Sequence, residues 1–197
     1  MSEKTENGWG KFLFAALEGK NTSHKIAYIA VMVALNVVVN AIGSIPLGFV
    51  QFSLTLCIAA LTGILIGPLF GFVACFLGDT LGYMIGVGTN GWTPWVGISM
   101  GVAAVLAAVI VHGIPLKFKG GLYVKLGLVC FLTLIVCTYA INTTAAYYLW
   151  NFKGLGYKEF LIARMSLQIW NNLINGALLF IAVPALNRIK PLKIQIE

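Results

Sequence analysis

Charged residues, and acidic ones above all, are scarce in this 197-residue chain: 10% of it is charged, and only 6 residues are Asp or Glu. A soluble domain carries about 25% charged residues, whereas 59% of this chain is hydrophobic. Apolar runs recur at the length of about 18 or more residues that a helix needs to cross a ~30 Å hydrocarbon layer. The sequence therefore excludes a soluble domain and predicts an integral membrane protein.

Motifs for chemistry are also missing. The chain has no G-x-x-x-x-G-K-[ST] loop for nucleotide phosphates. Its four cysteines lie inside apolar runs and are not spaced as a metal or redox pair, so we expect no disulfide, metal or cofactor. Ser99 has no histidine at comparable depth, which argues against a hydrolase. We expect a protein that is not an enzyme.

Six apolar spans predict an all-α bundle of six transmembrane helices. Residues 1–22 are expected to form a cytoplasmic segment with a short interfacial helix, residues 23–187 the membrane domain, and residues 188–197 a cytoplasmic tail. The spans lie at about 25–43, 52–67, 69–87, 95–114, 124–149 and 160–186.

The basic residues predict the orientation of the bundle. Lys153 and Lys158 fall on one side and Arg164 lies within the sixth span, while ten others share the opposite side. The positive-inside rule then places both termini in the cytoplasm, so the net charge of +7 reflects topology and not a nucleic-acid partner. The ten are Lys4, Lys11, Lys20, Lys25, Lys117, Lys119, Lys125, Arg188, Lys190 and Lys193.

Small residues recur at four-residue spacing in the first four spans, beginning with Ala30 and Ala34. Such residues let the backbones of membrane helices approach closely. Tight packing within the bundle is one interpretation, and a docking face for a partner is the other.

Polar residues at depth mark the candidate site. Asp79 is the one acidic residue that lies inside a predicted span. Two roles are open for it: a structural role, or a role in ligand binding or gating. The sixth span carries a cation and four amides at steps of three or four, which places them on one helical face. Hydrogen bonding between helices is one explanation, and a cavity that opens to the outside is the favoured one. These residues are Arg164, Gln168, Asn171, Asn172 and Asn175.

Further polar and aromatic residues lie at the outer ends of the other spans, where they are candidates for a substrate pocket. The N-G-W-T-P-W segment at 90–95 is a turn by composition and a candidate lid. The candidate pocket residues are Asn40, Gln51, Asn90, Trp92, Trp95, Tyr139 and Asn142.

Ala30-x-x-x-Ala34, the stretch ALTGILIGPLFGFVACFLGDTLGY at 60–83 and the aromatic outer loop carry a resemblance that covers nearly the whole membrane portion. The chain resembles the substrate-binding S components of energy-coupling-factor (ECF) vitamin importers, and the folate-type branch most closely. The resemblance implies capture of a vitamin outside the cell and delivery with a transmembrane coupling protein and two ATPase subunits. Ala30 and Ala34 would then form the docking surface for the coupling protein, in a multi-pass protein of a prokaryotic plasma membrane.

The outer loop, Thr89 to Trp95, departs from the Pro- and Thr-rich pattern of the folate-type members. A dianionic glutamate tail would also call for cations, of which the outer half offers Arg164, Lys153 and Lys158. Folate and cobalamin therefore stand level as expected substrates, ahead of queuosine-type precursors and pantothenate. The alternatives to an importer subunit are a self-sufficient secondary transporter or channel and a structural membrane protein.

Overall fold

A computed structural model describes residues 21–42, 44–47, 50–86, 92–116, 118, 120–150 and 154–188. The predicted interfacial helix, Asn90 and nearly all of the predicted tail lie outside these residues. The elements are α1 Thr22–Ile42, β1 Ser44–Leu47, β2 Val50–Ser53, α2 Thr55–Ile66, α3 Pro68–Ile85, α4 Pro94–Gly113, α5 Gly121–Leu132, α6 Thr144–Trp150 and α7 Tyr157–Asn187.

A π-helical segment, Thr133–Thr143, joins α5 to α6 without a break. The resulting rod, Gly121–Leu149, has 29 residues and is one of five described helices that are long and apolar enough to cross a membrane. The other four are α1, α3, α4 and α7. These helices coincide with five of the predicted spans.

The second predicted span differs from the other five. The structure has a β1–β2 hairpin followed by α2, a helix of only 12 residues that is about 18 Å long at ~1.5 Å per residue. Ten residues of α2 are buried, as expected for a helix that is apolar on all sides. α2 therefore forms the centre of the bundle, and the hairpin pairs backbone groups that an irregular link would leave unsatisfied.

Glycines allow the first four helices to pack closely. Gly67, with φ 87°, forms a tight turn before Pro68, the first residue of α3. Gly63 of α2 lies directly against the main chain of Ala104 in α4. A Cβ at Gly82 of α3 would lie only 2.7 Å from the Cβ of Asn40 in α1. The pairs α3–α4, α1–α3 and α2–α4 share the most extensive contacts, whereas the rod and α7 pack less extensively on this group.

Lys125, one of the ten basic residues assigned to the cytoplasmic side, lies inside a helix. α5 already begins at Gly121, and Lys125 is buried within it. Its Nζ donates to the Val111 carbonyl at 2.8 Å, and His112 Nε2 lies 2.9 Å from the Ile64 carbonyl. Both carbonyls belong to last turns, where helices lack internal donors and attract cations. Lys125 and His112 therefore supply polar partners to the ends of α4 and α2.

Candidate functional site

The five polar residues of α7 do share one buried face, with exposed fractions between 2% and 9%. Because side chains four residues apart stand one above the other on a helix, the five divide into two adjacent rows. We call Arg164, Gln168 and Asn172 the first row and Asn171 and Asn175 the second row.

The second row bonds to the start of α2. Asn175 Oδ1 accepts the Cys57 backbone N–H at 2.9 Å, and its Nδ2 donates to the Ser53 carbonyl at 2.7 Å. Asn171 Oδ1 accepts the Ser53 backbone N–H at 3.3 Å. The first-turn donors of a helix need external partners, and Leu54 at the N-cap of α2 supplies no side-chain hydrogen bond. The second row therefore caps α2 from another helix, in agreement with the inter-helix interpretation.

The first row lies against the rod. Asn172 Nδ2 donates to the Cys130 carbonyl at 3.1 Å, while its Oδ1 is buried and has no hydrogen-bond partner in the described part of the chain. The guanidinium carbon of Arg164 lies 5.7 Å from the ring centre of Phe160. Phe160 in turn packs edge-on against Tyr147 of α6, with ring centres 5.7 Å apart. The row therefore runs from an aromatic cluster at one end to an amide with a free acceptor at the other.

The π-helical segment adds two more unsatisfied polar atoms. The Tyr139 hydroxyl and Asn142 Oδ1 are buried and have no partner among the residues that the structure describes. A buried polar atom without a hydrogen bond costs about 1–3 kcal/mol, and π-helical turns are frequent at functional sites. Together with Asn172, these residues provide hydrogen-bonding capacity that the described protein leaves unused.

A groove of about 270 Å³ lies between the middle of α7 and the junction of α5 with the π-helical segment. Asn172 is the amide in a lining that is otherwise apolar and includes Cys130, Gly176 and Phe180. Gly176 continues the first row by one turn, and a Cβ there would lie 3.1 Å from Cys130 Sγ. The groove is slightly smaller than a typical small-molecule pocket of about 300–1,000 Å³, and its lining includes Phe131 and Leu173, which are 59% and 57% exposed at the surface of the bundle.

Asp79 has partners on two other elements. Its Oδ1 accepts Asn40 Nδ2 of α1 at 2.7 Å, and its Oδ2 accepts Trp92 Nε1, two residues before α4, at 3.1 Å. Asn40 Nδ2 also lies 3.1 Å from the Asp79 carbonyl. The structure thus brings together three candidate residues at the α1–α3–α4 contact.

The remaining candidates are dispersed. Gln51 pairs with Pro46 in the hairpin, but its side chain is not among those described. Trp95, at the start of α4, is 56% exposed and contributes to the outer surface of the bundle. Ala30 and Ala34 are both exposed on α1, so neither alanine is buried in packing within the bundle.

Sequence reasoning missed the main-chain partners of the rows, at Ser53, Cys57 and Cys130. No residue type marks a carbonyl or an N–H that will be left unpaired at a helix end. The position of such groups depends on where each helix begins. The predicted second span begins at residue 52, whereas α2 begins at Thr55. Because of this difference of three residues, Cys57 could not be recognised as a first-turn residue.

Comparison with known families shows what the chain is similar to. The model of a family described as "ECF-type riboflavin transporter, S component" matches residues 20–191, which include every described helix. No curated protein sequence matches the chain.

Proposed function

Because the chain belongs to the family of ECF-type riboflavin transporter S components, we propose that it captures riboflavin at the outer side of the membrane. Members of this family are multi-pass plasma-membrane proteins that bind substrate for transport and perform no catalysis. They work with an ECF module of ATPases and a transmembrane coupling protein. The expectation of an S component is therefore confirmed, whereas the folate and cobalamin preference gives way here to a proposal of riboflavin.

The first row of α7 is the observation that supports riboflavin most directly. Gln168 and Asn172 are neutral amides that donate and accept hydrogen bonds, and Arg164 donates through five N–H groups. Beyond Asn172 the row ends in the apolar groove. Riboflavin has an uncharged ring with a polar imide edge and an apolar dimethyl edge, and its ribityl chain carries hydroxyls. A row that passes from donors to an apolar groove matches this ligand.

Folate fits the same surface less well. Its glutamate carboxylates require cations, and among the described residues of the rod and α7 the buried cations are Arg164 and Lys125. Lys125 Nζ is already bonded to Val111 at the far end of α4. We therefore assign the substrate site to Arg164, Gln168, Asn172, Tyr139 and Asn142, and leave Asn171 and Asn175 to the capping of α2.

The exposed face of α1 is the proposed docking surface for the coupling protein. Ala30 and Ala34 stand one turn apart on this face, and their small side chains permit close approach of another helix. We propose that α1, α2, α3, α4, the rod and α7 correspond to six membrane segments with both termini in the cytoplasm. In this orientation the substrate site opens to the outside of the cell. The C-terminal ends of α2 and α4, near Lys125, face the cytoplasm.

A binding and uptake experiment tests this function. The purified chain in detergent should quench riboflavin fluorescence with a 1:1 stoichiometry in the absence of nucleotide, and folate and cobalamin should not compete. Vesicles should accumulate riboflavin only when the coupling protein and both ATPases are reconstituted with the chain. Tighter binding of folate or cobalamin would overturn the substrate assignment. Accumulation by ATP-free vesicles that contain this chain alone would overturn the role of S component.

A further inference from the structure

Asp79 is the one carboxylate that the described helices bury, and the proposed substrate site does not use it. A charged side chain at membrane depth is costly, and helix association by itself is served by amides and hydroxyls. The chain contains such a neutral contact nearby, where Asn36 Nδ2 of α1 donates to Thr62 Oγ1 of α2 at 2.8 Å. An acid at position 79 therefore calls for a reason beyond the joining of two helices.

The surroundings of Asp79 fix its geometry. Gly78 and Gly82 let α1 approach α3 so closely that Asn40 reaches both the side chain and the main-chain carbonyl of Asp79. On the other side, a Cβ at Gly97 of α4 would lie 3.5 Å from Asp79 Oδ2. The carboxylate is thus enclosed by two helices, and each of its oxygens accepts a different donor.

Trp92 is held at this place by two contacts. Its indole N–H donates to Asp79, and its ring packs edge-on against Phe76 with centres 6.5 Å apart. Phe76 stacks on Phe72 of the same helix at 6.4 Å. The backbone that leads into α4 is therefore attached through Trp92 to α3, and through Asp79 to α1.

We propose that Asp79 is a positioning residue of the transport cycle: its carboxylate joins the outer end of α1 to the start of α4, so that the two move as one unit. α1 also carries Ala30 and Ala34, so the joint links the proposed docking surface to the outer end of α4. This inference rests on the proposed function. It assigns Asp79 to the step in which docking changes the bundle, and not to ligand binding.

A donor–acceptor exchange tests the joint. Asp79→Asn keeps the shape but turns one acceptor oxygen into a donor, so at least one of the three hydrogen bonds at this joint is lost. If Asn40 turns its amide to accept from the new amide, it gives up its bond to the main-chain carbonyl of residue 79. Combining Asp79→Asn with Asn40→Asp restores the two side-chain bonds, because the new amide donates to residue 40 and accepts from Trp92, but it does not restore the bond to that carbonyl. Trp92→Phe removes the N–H donor, and with it part of the ring that packs against Phe76. Thr80→Val is the matched control, since Thr80 Oγ1 bonds only within α3, to the Phe76 carbonyl at 2.9 Å.

The expected result is a separation of binding from uptake. In the reconstituted complex, Asp79→Asn and Trp92→Phe should lower riboflavin uptake about tenfold, the change that ~1.4 kcal/mol produces. The riboflavin affinity of the isolated chain should stay within about threefold of wild type. The Asn40→Asp/Asp79→Asn pair should regain uptake to within about threefold, and Thr80→Val should match wild type.

Three outcomes with the variants would overturn the inference. Wild-type uptake in Asp79→Asn would show that the joint does not matter. Parallel loss of affinity and uptake would make Asp79 part of the binding site or of the fold. Failure of the paired variant, if it folds and binds riboflavin, would mean that the two side-chain hydrogen bonds are not sufficient for the joint. If the wild-type chain itself bound no riboflavin, the proposed function would fail, and this inference would fail with it.

Discussion

The two rows of α7 can be separated by exchanging one asparagine in each for alanine. Asn175→Ala removes two hydrogen bonds to the segment that starts α2, at 2.9 Å to Cys57 and 2.7 Å to Ser53. Hydrogen bonds between membrane helices contribute about 0.6 kcal/mol on average and about 1.7 kcal/mol at most. The loss of both therefore predicts a decrease of ~1.2 to ~3.4 kcal/mol in the free energy of unfolding.

Asn172→Ala should behave differently. It removes one hydrogen bond to the rod, and the Cys130 carbonyl keeps the Thr133 hydroxyl as a donor at 3.1 Å. The free energy of unfolding should fall by only ~0.6 kcal/mol. The dissociation constant for riboflavin, however, should rise about tenfold, which corresponds to ~1.4 kcal/mol.

Reversible unfolding by SDS in mixed micelles, followed by tryptophan fluorescence, measures the free energy of unfolding. Quenching of riboflavin fluorescence, at a temperature where both variants are folded, measures the dissociation constant for riboflavin. Asn175→Ala should bind riboflavin within about threefold of wild type. If Asn172→Ala instead destabilises the fold as much as Asn175→Ala and leaves affinity unchanged, the division into a ligand-binding row and a capping row is wrong.

Three other predictions address docking, packing and the buried cation. Ala34→Trp should leave riboflavin affinity unchanged and abolish uptake in reconstituted vesicles. The control Val124→Trp, at a 53% exposed position of α5, should leave both affinity and uptake unchanged. Loss of riboflavin binding in Ala34→Trp would make Ala34 a packing residue. Gly63→Ala should lower the free energy of unfolding by ~1–3 kcal/mol because the added Cβ meets the main chain of α4. Gly127→Ala has its nearest neighbour at 3.9 Å and should be neutral or stabilising by up to ~1 kcal/mol; equal effects of the two changes on SDS unfolding would contradict the packing argument. Arg164→Ala should weaken riboflavin binding about tenfold or more, while the folded yield in gel filtration falls less than twofold; a parallel fall in both would assign Arg164 to the fold.

Hydropathy located the helices well, because a membrane helix must satisfy its backbone internally and be apolar over its length. It did not show that the second apolar run divides into a strand and a short helix. Val50 to Ile66 carries no charged residue, and the alternation of apolar and polar residues from Val50 to Thr55 is a strand signal that the hydropathy of the whole run obscures. Only the contact with α1, α3 and α4 shows that α2 is a central helix that lies inside the bundle.

The shared face of the α7 residues followed from their spacing, but the division of labour within that face did not. Steps of three and four place Asn171 and Asn172 on the same stripe, although the first bonds to Ser53 and the second to Cys130. Their partners depend on which neighbouring helix each row meets. The partners of Asp79 were hidden for the same reason, since Asn40 lies 39 residues away in the chain.

The π-helical segment Thr133–Thr143 has a consequence for the comparison of relatives. A π turn takes one more residue than an α turn to close its backbone hydrogen bond, and the Thr143 hydroxyl likewise donates to the carbonyl five residues back, at Thr138, at 2.8 Å. A relative whose fifth helix is α-helical throughout would need fewer residues to connect the same two ends. Alignments should therefore treat the parts before Thr133 and after Thr143 as separate blocks with a gap between them. A position such as Asn142 should be matched by its place in space and not by counting from the start of the helix.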